Sequence, residues 1–194
     1  MPVYLDSPLA EKITVVYERA GKRFNAAAQH ELRGGDDLFK FKELHQVARV
    51  EESRAIAGVK GPKIIIAGSG MSTAGRIVGH EALYLPDPDS TILFLGFQAS
   101  GTLGRHIAEG IKKVKIDGED VVVRAKVERI DGFSGHADSD ALVNFVSESQ
   151  GSLKKVFVAM GEPKSATFLA QRLRDELGVT AIVAEQDKSY EIDL

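Results

Sequence analysis

Two unbroken apolar runs, KIIIAG (63–68) and TILFLG (91–96), constrain this chain more than any other feature. Each is short and is followed by a small-residue loop and a helix-patterned segment. These segments are MSTAGRIVGHEALYL (71–85) and GTLGRHIAEG (101–110). A strand that is apolar at every position has no side to offer water. Such strands alternating with helices predict an α/β fold: a parallel sheet with helices on both faces. The N-terminal stretch fits the same plan. PVYLD (2–6) reads as a short buried strand. SPLAEKITVVYERAGKRF (7–24) reads as a helix capped by Ser7, with Pro8 at its first position and an apolar stripe of Leu9, Ile13, Val16 and Ala20.

Residues 26–50 follow no single period, although Gly34-Gly35 is a turn signal. EESRAIAG (51–58) reads as a short helix ended by Gly58. Around 111–117 the character changes. KVKIDGEDVVVRAKVERI (113–130) carries two β-rich runs about Asp117-Gly118, a hairpin signal. A helix (139–149), a strand (154–161), a helix (164–178) and a strand (180–186) follow, and YEIDL (190–194) reads as a candidate last strand. The break divides the chain into a domain over 1–110 and a second α/β segment over 111–194.

Composition narrows the chemistry. With 194 residues the chain can bury a core unaided, and with no cysteine it has neither disulfides nor thiolate metal ligands. Any metal must be held by His, Asp or Glu. The net charge of −3 means that contact with nucleic acid must come from a local patch. No apolar run approaches the roughly 18 residues of a membrane span. The N-terminus lacks the basic-then-apolar order of a signal peptide. A cytoplasmic location without membrane contact is expected.

Three loops carry candidate chemistry. In IIIAGSGMSTAGR (64–76), the turn Gly68-Ser69-Gly70-Met71 joins a strand to a helix, where backbone N–H groups can cradle an anion. Ser69 adds a hydroxyl and Arg76 a charge; a tight turn that simply needs glycine explains the spacing equally well. In LGFQASGTLGRHI (95–107), His106 lies one turn into a helix. Ligands gather beyond the carboxyl ends of parallel strands, where both loops emerge. In DGFSGHADSD (131–140), His136 sits among small residues. Asp138 or Ser139 can serve simply as a helix cap, which leaves His136 unexplained. His30, His45 and His80 read as structural or surface residues. Arg105, Lys112, Lys113 and Lys115 form a basic cluster, either a solvated face or a phosphate contact. Metal grammar such as H-x-H-x-D-H or H-E-x-x-H is absent. His106 and His136 alone amount to part of a metal site.

Taken together, PVYLDSPLA, IIIAGSGMSTAGR, TILFLGFQASGTLGRHI and GFSGHAD resemble the β-CASP family of metallo-β-lactamase-fold ribonucleases, over residues 2 to about 186. The nearest likeness is to members related to the nuclease subunit of the cleavage and polyadenylation specificity factor. The resemblance implies a β-CASP domain followed by a C-terminal RNA-metabolising metallo-β-lactamase segment, acting on single-stranded RNA with two zinc ions. It assigns His106 to the motif B histidine that contacts the scissile phosphate, and His136 to the motif C zinc ligand. It places Gly68, Ser69, Gly70 and Met71 along the RNA path. Arg76, Arg105, Lys112 and Ser134 join them as candidate phosphate contacts.

Two departures stand beside it. The family's N-terminal metallo-β-lactamase part, which holds most zinc ligands, has no counterpart in these residues, and Met160 stands where members commonly carry histidine before Gly-Glu. The chain is therefore expected to bind RNA but not to cleave it alone, to need the missing metallo-β-lactamase domain, and to form a homodimer or expose a sheet edge. Two other readings remain: a small metal hydrolase built on His106, His136, Asp131 and Asp138, and a non-enzymatic RNA- or partner-binding module.

Overall fold

The structure is a computed structural model that describes residues 1–33, 39–130, 132–133 and 135–192. The Gly34-Gly35 turn signal falls outside the described residues, as do Asp131 and Ser134 of the third loop. The chain forms two compact units, Met1–Phe133 and Ser134–Leu194. No helix among the described residues is long and apolar enough to cross a membrane.

The first unit is a mixed α/β body with two parallel sheets. Strand β1 (Val3–Asp6) lies between β2 (Leu44–Gln46) and β3 (Ile64–Ala67), parallel to both. Helix α1 (Pro8–Arg19) follows β1, and the Ser7 hydroxyl accepts the Ala10 N–H at 3.2 Å, as its sequence predicts. Helices α2 (Ala26–Arg33) and α3 (Val50–Ala55) flank β2, and α4 (Arg76–Tyr84) follows β3. Strand β4 (Thr91–Leu95) leads to α5 (Leu103–Ala108). The chain then makes an antiparallel hairpin, β5 (Lys113–Ile116) and β6 (Glu119–Val122). Asp117 and Gly118 both take positive φ, 50° and 87°, the conformation that a two-residue hairpin turn demands. Strand β7 (Lys126–Ile130) then pairs in parallel with β4. The composition break near 111–117 thus lies inside this unit. Its core is Leu85, Phe94, Ile107, Val114, Ile116, Val121, Val123 and Ala125.

The second unit holds α6 (Ser139–Ser147), β8 (Val156–Val158), α7 (Pro163–Leu177) and β9 (Ala181–Val183), with β8 and β9 parallel. Its core is Val143, Val158, Ala166, Ala170, Leu173 and Ala181. Arg172 on α7 ties the helices together, donating to Ser139 and Asp140 on α6 and to Glu176 on its own helix. The strand expected over YEIDL is not formed at Tyr190–Ile192. There the chain is irregular, and the Tyr190 hydroxyl instead accepts the Glu185 N–H at 2.9 Å.

The α/β fold with parallel sheets is as expected, and the apolar strands in it are unevenly buried. Ile64 and Ile66 of β3 stay 43% and 49% exposed, and Leu93 and Leu95 of β4 stay 49% and 58% exposed. Helix α1 has no buried residue, so its apolar stripe also faces outward.

A buried ionic hub organises the first sheet. Asp6, at the end of β1, is 1% exposed. Its carboxylate takes hydrogen bonds from Ser53 on α3 and from Arg76 on α4, each at 2.5 Å, and contacts His80 Nε2 at 2.7 Å. Burial pushes its pKa up. The bonds from Ser53, His80 and Arg76, with the Arg76 charge, outweigh burial and hold it below the ordinary 3.8. That stability is present above 3.8 and lost as pH falls through the lower folded value. Asp6→Ala leaves the partly buried Arg76 without its counter-charge and is expected to cost about 3 kcal/mol in urea unfolding at pH 7. That cost should shrink as the titration is carried below the folded pKa.

Candidate functional site

The loop between β3 and α4 is longer than its sequence pattern predicts. Helix α4 begins at Arg76 rather than at residue 71, because Ser69, Ser72 and Gly75 take φ of 66°, 56° and 78° and no helix can pass through them. Inside the loop the Ser72 N–H donates to the Ser69 carbonyl at 2.8 Å, and the Ser69 hydroxyl accepts the Ala74 N–H at 3.2 Å. The N–H groups of Ser69, Gly70 and Met71 donate to no protein atom among the described residues. Nothing lies within 4 Å of where a Gly70 Cβ would sit. Successive unpaired N–H groups in such a turn form a concavity suited to an anion.

The loop after β4 locks onto the first. Gln98 Nε2 donates to the Gly70 carbonyl at 2.8 Å, and the Gly104 N–H donates to the Met71 carbonyl at 3.1 Å. Helix α5 is capped by the Thr102 hydroxyl, which accepts the Arg105 N–H at 3.2 Å. The structure thus brings the Gly68–Met71 turn together with the helix that carries Arg105 and His106. His106 is exposed on α5. Arg105 bonds Glu109 at 2.6 Å and the Gln98 carbonyl at 3.2 Å.

The other candidate cations divide. Arg76 is committed to Asp6 and to the carbonyls of Val47 and Ala48, a structural position that takes it away from the loop it follows. His80, read as structural, contacts Asp6, and His45 stacks on Tyr4. Lys113 and Lys115 both pair with Asp120 across the hairpin. Lys112 is exposed and has no acidic partner among the described residues.

In the second unit, Asp138 caps α6, its Oδ1 accepting the Ala141 N–H at 2.8 Å. His136 is exposed in the segment leading to that helix. Met160, between β8 and α7, is fully exposed with φ 63°.

Residues 1–107 of this chain match the Beta-Casp domain, and residues 120–184 match the Zn-dependent metallo-hydrolase RNA specificity domain. The chain belongs to the β-CASP family. It is 37% identical over 163 residues to "Ribonuclease TTHA0252" of Thermus thermophilus, covering 84% of this chain and 37% of that protein. It is 32% identical over 186 residues to "Transcription termination factor FttA" of Pyrococcus horikoshii, covering 93% of this chain and 28% of that protein. The factor of the same name from Methanocaldococcus jannaschii is 31% identical over 181 residues, covering 89% of this chain and 28% of that protein. The chain spans about a third of the length of these relatives or less. One of these relatives is named a ribonuclease and the others transcription termination factors, and the second matched domain is described as that of Zn-dependent metallo-hydrolases.

Among the described residues, the side chains of this β-CASP chain do not assemble a zinc centre. No group of three His, Asp or Glu side chains that could hold a metal is found among the described residues. One oxygen of the Asp138 carboxylate, Oδ1, is engaged as the cap of α6. The self-sufficient hydrolase reading therefore has no geometric support among them.

Sequence reasoning missed the buried polar groups that hold the loop. Gln98, Ser72 and Glu81 are 1%, 3% and 3% exposed. Glu81 was detectable, because Val78, Glu81, Ala82 and Leu85 follow the helical i, i+3, i+4, i+7 spacing of a buried stripe, and a carboxylate there needs a partner. Ser72 supplies it, donating to Glu81 Oε1 at 2.5 Å, while Oε2 has no partner. Burial raises the Glu81 pKa above 4.5, and the Ser72 bond offsets only part of that. The sign is opposite to that of Asp6. Stability linked to Glu81 is present below 4.5 and lost as pH rises through the folded value. Glu81→Gln keeps an acceptor for Ser72 and removes the titration. Urea midpoints between pH 4 and 8 should show the variant gaining on the wild type as pH rises.

Proposed function

We propose that this chain is the RNA-binding portion of a zinc-dependent RNA-processing ribonuclease, and that it binds single-stranded RNA without cleaving it alone. The observation that carries this reading is the open Ser69–Met71 backbone, with His106 and Lys112 exposed in the same unit, in a chain whose residues 120–184 match an RNA specificity domain. Phosphate oxygens accept hydrogen bonds from backbone N–H groups, and exposed cations strengthen the contact by releasing counterions. In this reading Gly68, Ser69, Gly70 and Met71 line the RNA path, and His106 contacts a backbone phosphate. Arg105 and Lys112 add charge, and Ser134 is a further candidate phosphate contact. Arg76 supports the loop from behind. His136 is one ligand toward zinc, and the remaining ligands come from a metallo-β-lactamase domain. The β-CASP domain spans 1–110 and the C-terminal segment 111–194, and the protein works in the cytoplasm. The exposed faces of Ile64, Ile66, Leu93 and Leu95 favour a homodimer, since apolar strand surface left in water tends to find a partner.

The test is incubation of the purified chain with zinc and end-labelled single-stranded RNA. Salt-dependent binding with intact RNA is expected. Zinc-dependent cleavage that His136→Ala abolishes would overturn the reading in favour of a self-sufficient hydrolase. Lys112→Gln should weaken binding a few-fold and lower the salt slope by about 0.7, the value for one phosphate on a single strand. Arg105→Gln should lower it less, because Glu109 already neutralises that guanidinium.

A further inference from the structure

The cradle at residues 69–71 is held from below by a side chain that no ligand can reach. We infer that Gln98 is its positioning residue: it sets which way the cradle's Met71 N–H points and acts on RNA only through that turn. The inference rests on the reading of that cradle as an RNA contact.

The geometry gives the mechanism. Gln98 is 1% exposed, so its amide cannot touch a bound chain. Its Nε2 donates to the Gly70 carbonyl at 2.8 Å and draws that oxygen inward. The carbonyl of Gly70 and the N–H of Met71 belong to one planar trans peptide and point in opposite directions. Fixing the oxygen inward therefore fixes the Met71 N–H outward. The next carbonyl, that of Met71, is held by the Gly104 N–H at 3.1 Å, so two consecutive peptide planes are set from beneath.

The slot around the amide is narrow. A Cβ on Gly104 would lie 2.0 Å from Gln98 Oε1 and 3.0 Å from the Met71 carbonyl. Gly104, Gln98 and the Gly70-Met71 turn thus interlock, and only a residue without a side chain fits at 104. Gln98 Oε1 is itself buried without a hydrogen-bond partner. Packing alone does not call for an amide there, because methionine would fill a similar volume without stranding an oxygen. What the amide supplies is the donor to Gly70. The turn needs such a hold, because Ser69 and Ser72 sit in the left-handed region at φ 66° and 56°, which residues other than glycine leave unless their surroundings constrain them.

The experiment follows backbone amide resonances of the isotopically labelled chain during titration with a ten-nucleotide oligouridylate. In the wild type, the signals of Ser69, Gly70 and Met71 should move. In Gln98→Met, the rest of the spectrum should remain that of the folded protein, those three movements should disappear, and affinity should fall about tenfold. Gln98→Glu separates orientation from folding. Its ionised carboxylate cannot donate to Gly70, whereas its protonated form can, so binding relative to wild type should recover as pH is lowered. Unchanged affinity and unchanged movements in Gln98→Met would overturn the inference, and so would a Gln98→Glu profile parallel to that of the wild type. If RNA binds the wild type without moving residues 69–71, the cradle reading itself falls.

Discussion

A carboxylate removed from water must be met by donors on every side, and at Asp6 that requirement shapes the first unit. Its desolvation penalty of several kcal/mol is offset by bonds from α3 and α4, and Arg76 extends the network to the carbonyls of Val47 and Ala48 beyond β2. Four separate pieces of chain are thereby fixed to one side chain. The consequence for the open loop is direct. Asp6 is the register partner of Ala67, the last residue of β3, and the ion-pair partner of Arg76, the first residue of α4. Both posts of the 68–75 loop are anchored to the same residue.

The loop then lies between two buried acids of opposite electrostatic character. Asp6 faces a guanidinium and an imidazole, so its charge is stabilised. Glu81 faces only the Ser72 hydroxyl, so its charge is not. The first sets the ends of the loop and the second grips its middle. With Gln98 from the neighbouring loop, three buried polar side chains constrain a segment that offers its backbone to solvent. A strained turn persists only when its surroundings over-determine it.

The elements that could be read from the sequence are those whose signal is local. Ser7-Pro8 predicts the start of α1, Asp117-Gly118 predicts the hairpin, and Gly178 ends α7 in the left-handed conformation at φ 67°. What escaped depends on long-range pairing. Arg76 looks like a free cation until Asp6, seventy residues earlier, is placed against it. Gln98 looks like a loop polar residue until Gly70 is seen above it. Helical periodicity over 71–85 conceals the turn, because Ser72 and Gly75 interrupt it through dihedral angles rather than composition. The basic cluster could be read as a solvated face from the sequence, but not that Lys113 and Lys115 share the one carboxylate of Asp120 on the opposite strand.

The apolar strands show what a sequence pattern measures. Continuous runs in β3 and β4 are suited to burial on both faces, and the helices of this unit supply one. The outward residues Ile64, Ile66, Leu93 and Leu95 carry no donor or charge, so they offer nothing to a phosphate backbone. Exposed hydrogen-bond donors in this unit lie elsewhere, among them the N–H groups of Ser69–Met71 in the loop after β3 and the imidazole of His106 on α5. The molecule therefore presents two chemically distinct surfaces. Bare strand is suited to protein, and open backbone beyond the carboxyl ends of the parallel strands is suited to an anion.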